Sequence, residues 1–133
     1  SKLCGFGWQI GNVVPLVFDV QADIYNGAGI NFNTVSHLES IGLVQFNNLA
    51  GFQRLGLPKR IAVFYYGQPL QLEFEKDVDN RLDLGHVLLT KTGQELAPIC
   101  GSKPASGFLD YVKEKWKKHL PKPESEQEHA TDG

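Results

Sequence analysis

Apolar and polar positions repeat with two different periods along this chain, and the changes of period mark its elements. Val13-Val14-Pro15-Leu16-Val17-Phe18 is a short apolar run with β-branched residues. It reads as a strand, and because Pro15 has no amide hydrogen to donate, that strand lies at a sheet edge or begins at the proline. Asp19 to Tyr25 can continue as a helical turn before Asn26-Gly27-Ala28-Gly29 breaks regular structure. The period then becomes helical: Val35, Leu38 and Ile41 recur about every three residues behind Asn33 or Thr34 as N-cap. Gly42 can take the left-handed conformation that closes such a helix, and Leu43-Val44-Gln45-Phe46 begins an alternating strand.

Arg60 to Tyr66 and Pro69 to Glu75 are strand-like arms around Gly67-Gln68, the order of a type II′ hairpin turn with glycine first. That register sets Ile61, Val63 and Tyr65 opposite Phe74, Leu72 and Leu70 on a face predicted to be buried. The other face carries Ala62, Phe64, Tyr66, Gln71 and Glu73, more apolar than a solvated face, so a cover is expected there. Glu75 to Asp83 reads as a charged turn and Leu84 to Leu89 as a further strand. Thr90 is the expected cap of a short helix ending near Pro98. Gly101-Ser102-Lys103-Pro104 reads as a loop. Ser106 is the expected cap of a last helix reaching His119 or Leu120, with Phe108, Leu109, Val112, Trp116 and Leu120 as its apolar stripe. The pattern defines an α+β fold: an antiparallel sheet with a central hairpin and about three helices.

At 133 residues with 41% hydrophobic, the chain has material for one core, so residues 1–120 are expected to form a single compact domain. Residues 121–133, rich in Pro, Glu, Ser and Gln, are expected to be a disordered polar tail. A net charge of -2 and a pI of 6.0 argue against polyanion binding by bulk charge, since nucleic-acid domains usually have a pI above about 9. The two cysteines, Cys4 and Cys100, stand in no CxxC or Cys/His spacing, which argues against a disulfide scaffold and a zinc site and for a reduced compartment. No cofactor is implied. No apolar run approaches the roughly 20 residues that span a bilayer, and no signal segment opens the chain. A cytoplasmic protein without a membrane partner is expected. The chain has no methionine and begins Ser1-Lys2-Leu3-Cys4, as a piece of a longer protein would.

Asn33-Thr34-Val35-Ser36-His37-Leu38-Glu39-Ser40-Ile41-Gly42-Leu43-Val44, followed by Leu88-Leu89-Thr90-Lys91-Thr92-Gly93-Gln94-Glu95-Leu96, resembles part of a winged-helix pattern: recognition helix, wing and closing turn. Over roughly Val14 to Trp116 the chain also resembles the C-terminal part of a bacterial family known as a domain of unknown function, family 2806. The resemblance implies a bacterial intracellular setting and transfers no catalytic residue. The chain departs from a standard winged helix in two ways. One helix of the helix-turn-helix pair is visible before the strands, and the segment from Val44 to Leu88 is much longer than a simple wing.

A helix that reads DNA needs Arg or Lys at its exposed positions. The Asn33 to Ile41 helix offers Thr34, Ser36, His37, Glu39 and Ser40, with no Arg or Lys from Phe32 to Phe52. A nucleic-acid reading therefore falls back on Arg54, Lys59, Arg60, Lys113 and Lys117 and stands second. Asp77, Asp79, Asn80 and Asp83 crowd one loop, but Leu82 occupies the sixth position that a calcium loop gives to glycine. No spacing assembles His37, His86 and Cys100 into a catalytic set. The leading expectation is a non-catalytic interaction module of a larger bacterial protein. Its partner, an unknown protein or another domain of the parent chain, would meet an aromatic surface that includes Phe6, Trp8, Phe64 and Tyr66.

Overall fold

A computed structural model describes residues 2–97 and 103–121. The fold is α+β. A 3₁₀ turn, Lys2–Phe6, leads into β1 (Gly7–Ile10) and β2 (Asn12–Pro15), followed by a single helical turn, α1 (Asp23–Asn26). Helix α2 (Phe32–Ser40) precedes β3 (Val44–Phe46), β4 (Phe52–Leu57), β5 (Arg60–Tyr65), β6 (Gln68–Glu73), β7 (Asn80–Gly85) and β8 (Val87–Leu89). Helices α3 (Lys91–Leu96) and α4 (Phe108–Lys115) follow, and a 3₁₀ turn, Lys117–His119, is the last described element. The sheets are antiparallel: a four-stranded sheet in the order β2-β1-β5-β6 and two ribbons, β3-β8 and β4-β7.

The helix expected at Asn33 or Thr34 starts two residues earlier. Asn31 is the N-cap of α2: its side chain accepts from the Thr34 amide at 3.0 Å, while the Thr34 hydroxyl accepts from the Asn31 amide at 2.9 Å. This reciprocal pair satisfies free donors of the first turn. Gly42 closes the helix with φ +82, as its position implied. At the other end of the chain, Ser106 does not cap α4; Gly107 stands at the cap with φ +76 and no side-chain bond. Residues 98–102 and 122–133, with Cys100 and the expected polar tail, lie outside the described residues. Cys4 is disulfide-bonded, which corrects the expectation from the cysteine spacing that no disulfide is built in.

The hairpin turn differs from its expectation by one residue. Tyr66 and Gly67 both have positive φ, 49° and 80°, so the loop is Tyr66-Gly67 and its type is I′ rather than II′. Ile61 consequently pairs with Leu72, Val63 with Leu70 and Tyr65 with Gln68. Each partner moves by two positions, so side chains keep their faces. Val63, Tyr65, Leu70 and Leu72 are buried as expected. The single strand expected over Leu84 to Leu89 is two, and the expected charged turn gives up residues 80–83 to β7. The break comes at Gly85, φ +80, where a side chain would overlap the carbonyl of Val17. Val17 accepts instead from the His86 amide at 2.8 Å.

The core is aromatic at its centre. Phe6 lies 5.1 Å from Tyr25 and 4.8 Å from Phe108, and Trp8 stacks on Tyr65 at 5.1 Å and meets Trp116 edge-on at 5.6 Å. Phe108, Val112 and Trp116 of the last helix are buried, and the Trp116 indole donates to the Asp83 carbonyl at 2.9 Å. Helix α4 is thereby fixed against β7.

Residues 90–94 fasten the remaining parts. The Thr90 hydroxyl caps α3 by accepting from the Gly93 amide at 3.1 Å and donates to the Gly42 carbonyl at 2.6 Å. The Gln94 amide group accepts from Val13 N at 3.1 Å and donates to Val13 O at 2.6 Å, which occupies the outer edge of β2. Leu16 N points the other way, to Phe6 O at 3.1 Å. By strand alternation Val13 and Pro15 therefore turn their backbone outward, and Pro15 has no hydrogen to offer. Gly93 packs where any side chain would collide with the Leu43 carbonyl. Gly93→Ala is expected to cost about 3 kcal/mol or more, through overpacking against backbone that cannot yield. Gly42→Ala meets no atom within 4 Å, so it should cost only the left-handed backbone penalty, about 1 to 2 kcal/mol. Urea unfolding of the two variants measures the difference, and equal losses would refute the tight packing.

Candidate interaction surface

The four-stranded sheet has one face on the core and one in solvent. Strand alternation puts Val14, Trp8, Val63 and Leu70 inward and their neighbours outward. Across the outward face, Val13 stands opposite Gln9, Gln9 opposite Phe64, and Phe64 opposite Pro69, one row over four strands. Ala62 and Gln71 form the next pair, and Arg60 and Glu73 the last. Phe64 is 40% exposed and Tyr66 43%. The Tyr66 hydroxyl donates to the Cys4 carbonyl at 3.2 Å, which holds its ring beside the row.

Of the aromatic surface expected from sequence, Phe64 and Tyr66 are on this face and Phe6 and Trp8 are not. Phe6 is 1% exposed and Trp8 fully buried. The reason is that β1 pairs with β5: once Gln9 lies beside Phe64 on the outside, Trp8 must face the core. Its indole N–H is buried with no hydrogen-bond partner among the described residues. Gln9, Val13 and Pro69 belong to the face and were missed in the sequence. The polar Gln9 between apolar Trp8 and Ile10 was the available signal.

The basic residues are dispersed. Arg54 donates to the Asn12 side chain at 3.0 Å. Arg60 pairs with Glu73 at 3.5 Å and Lys117 with Glu114 at 3.1 Å. Lys59 takes part through its carbonyl, which accepts from Phe74 N at 2.7 Å. Lys113 lies on α4 and is half-buried. On α2, Glu39 is turned toward β3, where it accepts from the Phe46 amide at 2.9 Å. A shallow groove of about 370 Å³ beside α2 is lined by Lys2, Gly29, Ile30, Asn33, Thr34, His37 and Leu38, mostly with apolar surface. The Thr34 hydroxyl in it is already committed to the helix cap.

The remaining polar candidates are engaged in holding the backbone. Asn80 donates to the carbonyls of Leu57 and Lys76 and accepts from Lys76 N, while Asp83 accepts from Gly85 N. The His86 ring lies 2.8 Å from the Asn47 carbonyl. Among the described residues no group of His, Cys, Asp and Glu is arranged to hold a metal ion, and no helix is long and apolar enough to cross a membrane.

Taken together, these elements make an α+β fold in which the Gln9, Phe64 and Pro69 row of the four-stranded sheet is exposed. The family described as Protein of unknown function (DUF2806) matches residues 19–113, and the chain belongs to it. Phe64, Tyr66 and Pro69 fall within the matched segment, and Gln9 and Val13 precede it. Neither the curated proteins nor the solved structures contain a match.

Burial also shifts the core tyrosines. Loss of hydration raises Tyr25 far above its ordinary value of 10.0, against the opposing bond from Phe18 N. Tyr65 and Tyr111 are raised for the same first cause. A tyrosine raised in the folded state leaves stability unchanged below about pH 10. Above that, the unfolded chain ionises first and the fold loses stability as pH rises. Tyr25→Phe is expected to make this alkaline loss shallower. At neutral pH it should cost about 1 to 3 kcal/mol, because the Leu16 carbonyl and Phe18 amide lose their partner. Thermal unfolding of both proteins at pH 8 and at pH 11 tests the pair of effects; parallel losses would contradict it.

Proposed function

We propose that the chain is a non-catalytic interaction module of a bacterial protein. It binds a protein partner, or another domain of its parent chain, through the open sheet face. The observation that supports this is the row Val13, Gln9, Phe64 and Pro69 with Tyr66 beside it, in which Gln9, Phe64, Pro69 and Tyr66 are exposed and Val13 is half-buried. Exposed aromatic side chains on a rigid sheet supply contact area at low entropic cost, as binding surfaces need. The cytoplasmic location expected in part from the cysteine spacing loses that support with the Cys4 disulfide, and the proposal specifies no compartment. A photoreactive residue at position 64 in living cells is expected to give covalent adducts with another polypeptide. The same residue at exposed position 81 on β7 should give none. Absence of any adduct at position 64 would sink the reading.

A winged-helix-like nucleic-acid module is the second reading. It is favoured by the order α2, β3 paired antiparallel with β8, then α3. Arg54, Lys59, Arg60, Lys113 and Lys117 would be its phosphate contacts. Arg60 and Lys117 already have carboxylate partners, which puts this reading behind the first. Duplex DNA titrated at rising salt separates the two. Phosphate binding requires log affinity to fall with a slope of about -0.9 per contact, and no binding at low salt eliminates it.

A further inference from the structure

The hydrogen bonds of the β5-β6 hairpin decide which backbone groups of β6 are free. Tyr65 pairs with Gln68 beside the turn, Val63 with Leu70 and Ile61 with Leu72. The next pair of this series is marked by the bond from Phe74 N to Lys59 O at 2.7 Å. In an antiparallel ladder the residues between bonded pairs turn their N–H and C=O the other way. Those residues are Pro69, Gln71 and Glu73, on the outer side of the last strand of the sheet. Pro69 has no hydrogen to offer. Among the described residues nothing bonds to the outward N–H or C=O of Gln71 or Glu73.

Other strand edges carry a guard. Gln94 holds Val13 on β2, the Glu39 carboxylate holds Phe46 N on β3, and the Trp116 indole holds the Asp83 carbonyl on β7. Strand β4 is bent at Gly56, φ +67, where its register with β7 shifts. The edge of β6 is regular in register and open. Its outward donors and acceptors alternate, and the ligand that matches such a row is the backbone of an extended polypeptide.

Charge selects among such polypeptides. Glu73 and the exposed Glu75 lie along this stretch, followed by Lys76. The pair of Glu73 with Arg60 at 3.5 Å is open to solvent, with 72% of the arginine side chain exposed. It is therefore weak and leaves the carboxylate attractive to a second cation. A second copy of β6 is a poor match. An antiparallel register centred on Leu70 or Gln71 sets Pro69 opposite a carbonyl to which it cannot donate. Centred on Leu72 the two Glu73 carboxylates become diagonal neighbours, and centred on Glu73 they meet directly. We propose, resting on the interaction reading above, that a protein partner adds an extended strand to the outer edge of β6, with Lys or Arg beside Glu73. The added strand continues the exposed row beyond Pro69, so one partner touches both.

A library of random peptides selected against the full chain provides the probe. Enriched peptides are expected to carry Lys or Arg, and their binding should protect the amides of Gln71 and Glu73 from hydrogen exchange. Gln71→Pro removes one outward donor and places a proline as Pro69 already stands. It should match the original chain in thermal unfolding, yet bind the same peptides about tenfold or more weakly. Glu73→Lys should abolish the preference for basic peptides. Failure of every peptide to protect these two amides overturns the proposal, as does binding that Gln71→Pro leaves unchanged. Protection of the same amides in concentrated chain without peptide gives the edge to a second copy and also overturns it. The crosslinking probe at position 64 keeps the two readings apart. Adducts there without binding at the edge remove the added strand and leave the interaction module standing. Binding at the edge without adducts at position 64 removes the exposed row as the contact and leaves the added strand.

Discussion

The contact of Gly93 with the Leu43 carbonyl is the constraint on which the arrangement of the outer elements depends. It brings α3 against the end of α2, where the Thr90 hydroxyl reaches the Gly42 carbonyl at 2.6 Å, and it aims Gln94 at β2. One short helical turn thus joins the helix, the β3-β8 ribbon and the edge of the main sheet. The Thr90 to Leu96 block, which the sequence presents as the closing turn of a winged-helix pattern, acts here as a structural clip.

The aromatic core determines the surface as well as the interior. Tyr65 stacks on Trp8, donates its hydroxyl to the Gly5 carbonyl at 2.6 Å and accepts from the Ala105 amide at 2.8 Å. Each of these bonds requires Tyr65 to point inward. Alternation along β5 then leaves Phe64 no inward position, so its exposure follows from the packing of its neighbour. The open face and the closed core are two results of the same register.

Local chemistry was legible in the sequence and long-range pairing was not. Gly42 and Thr90 could be assigned because caps and left-handed glycines act within a few residues of themselves. The buried face of the hairpin was legible because a register change of two residues conserves it, although the turn itself was misplaced. Tyr66 takes a positive φ that a tyrosine rarely adopts, and its hydroxyl bond to Cys4 helps to hold it there. No local rule would have chosen it over glycine-first geometry. The burial of Phe6 and Trp8 depends on β1 finding β5, more than fifty residues away in sequence, and glycine-rich surroundings hid that strand. The candidate face was half visible for the same reason: Phe64 and Tyr66 are on the predicted hairpin, whereas Gln9 and Val13 join it only through the sheet.

The edge of β2 has a further consequence. Pro15 offers no hydrogen, and Gln94 holds both backbone groups of Val13. An incoming extended chain finds no template there on which to lengthen the sheet. Fibrous growth is blocked on that side, and the molecule can leave apolar rings uncovered on its broad surface without inviting strand-by-strand polymerisation beside them.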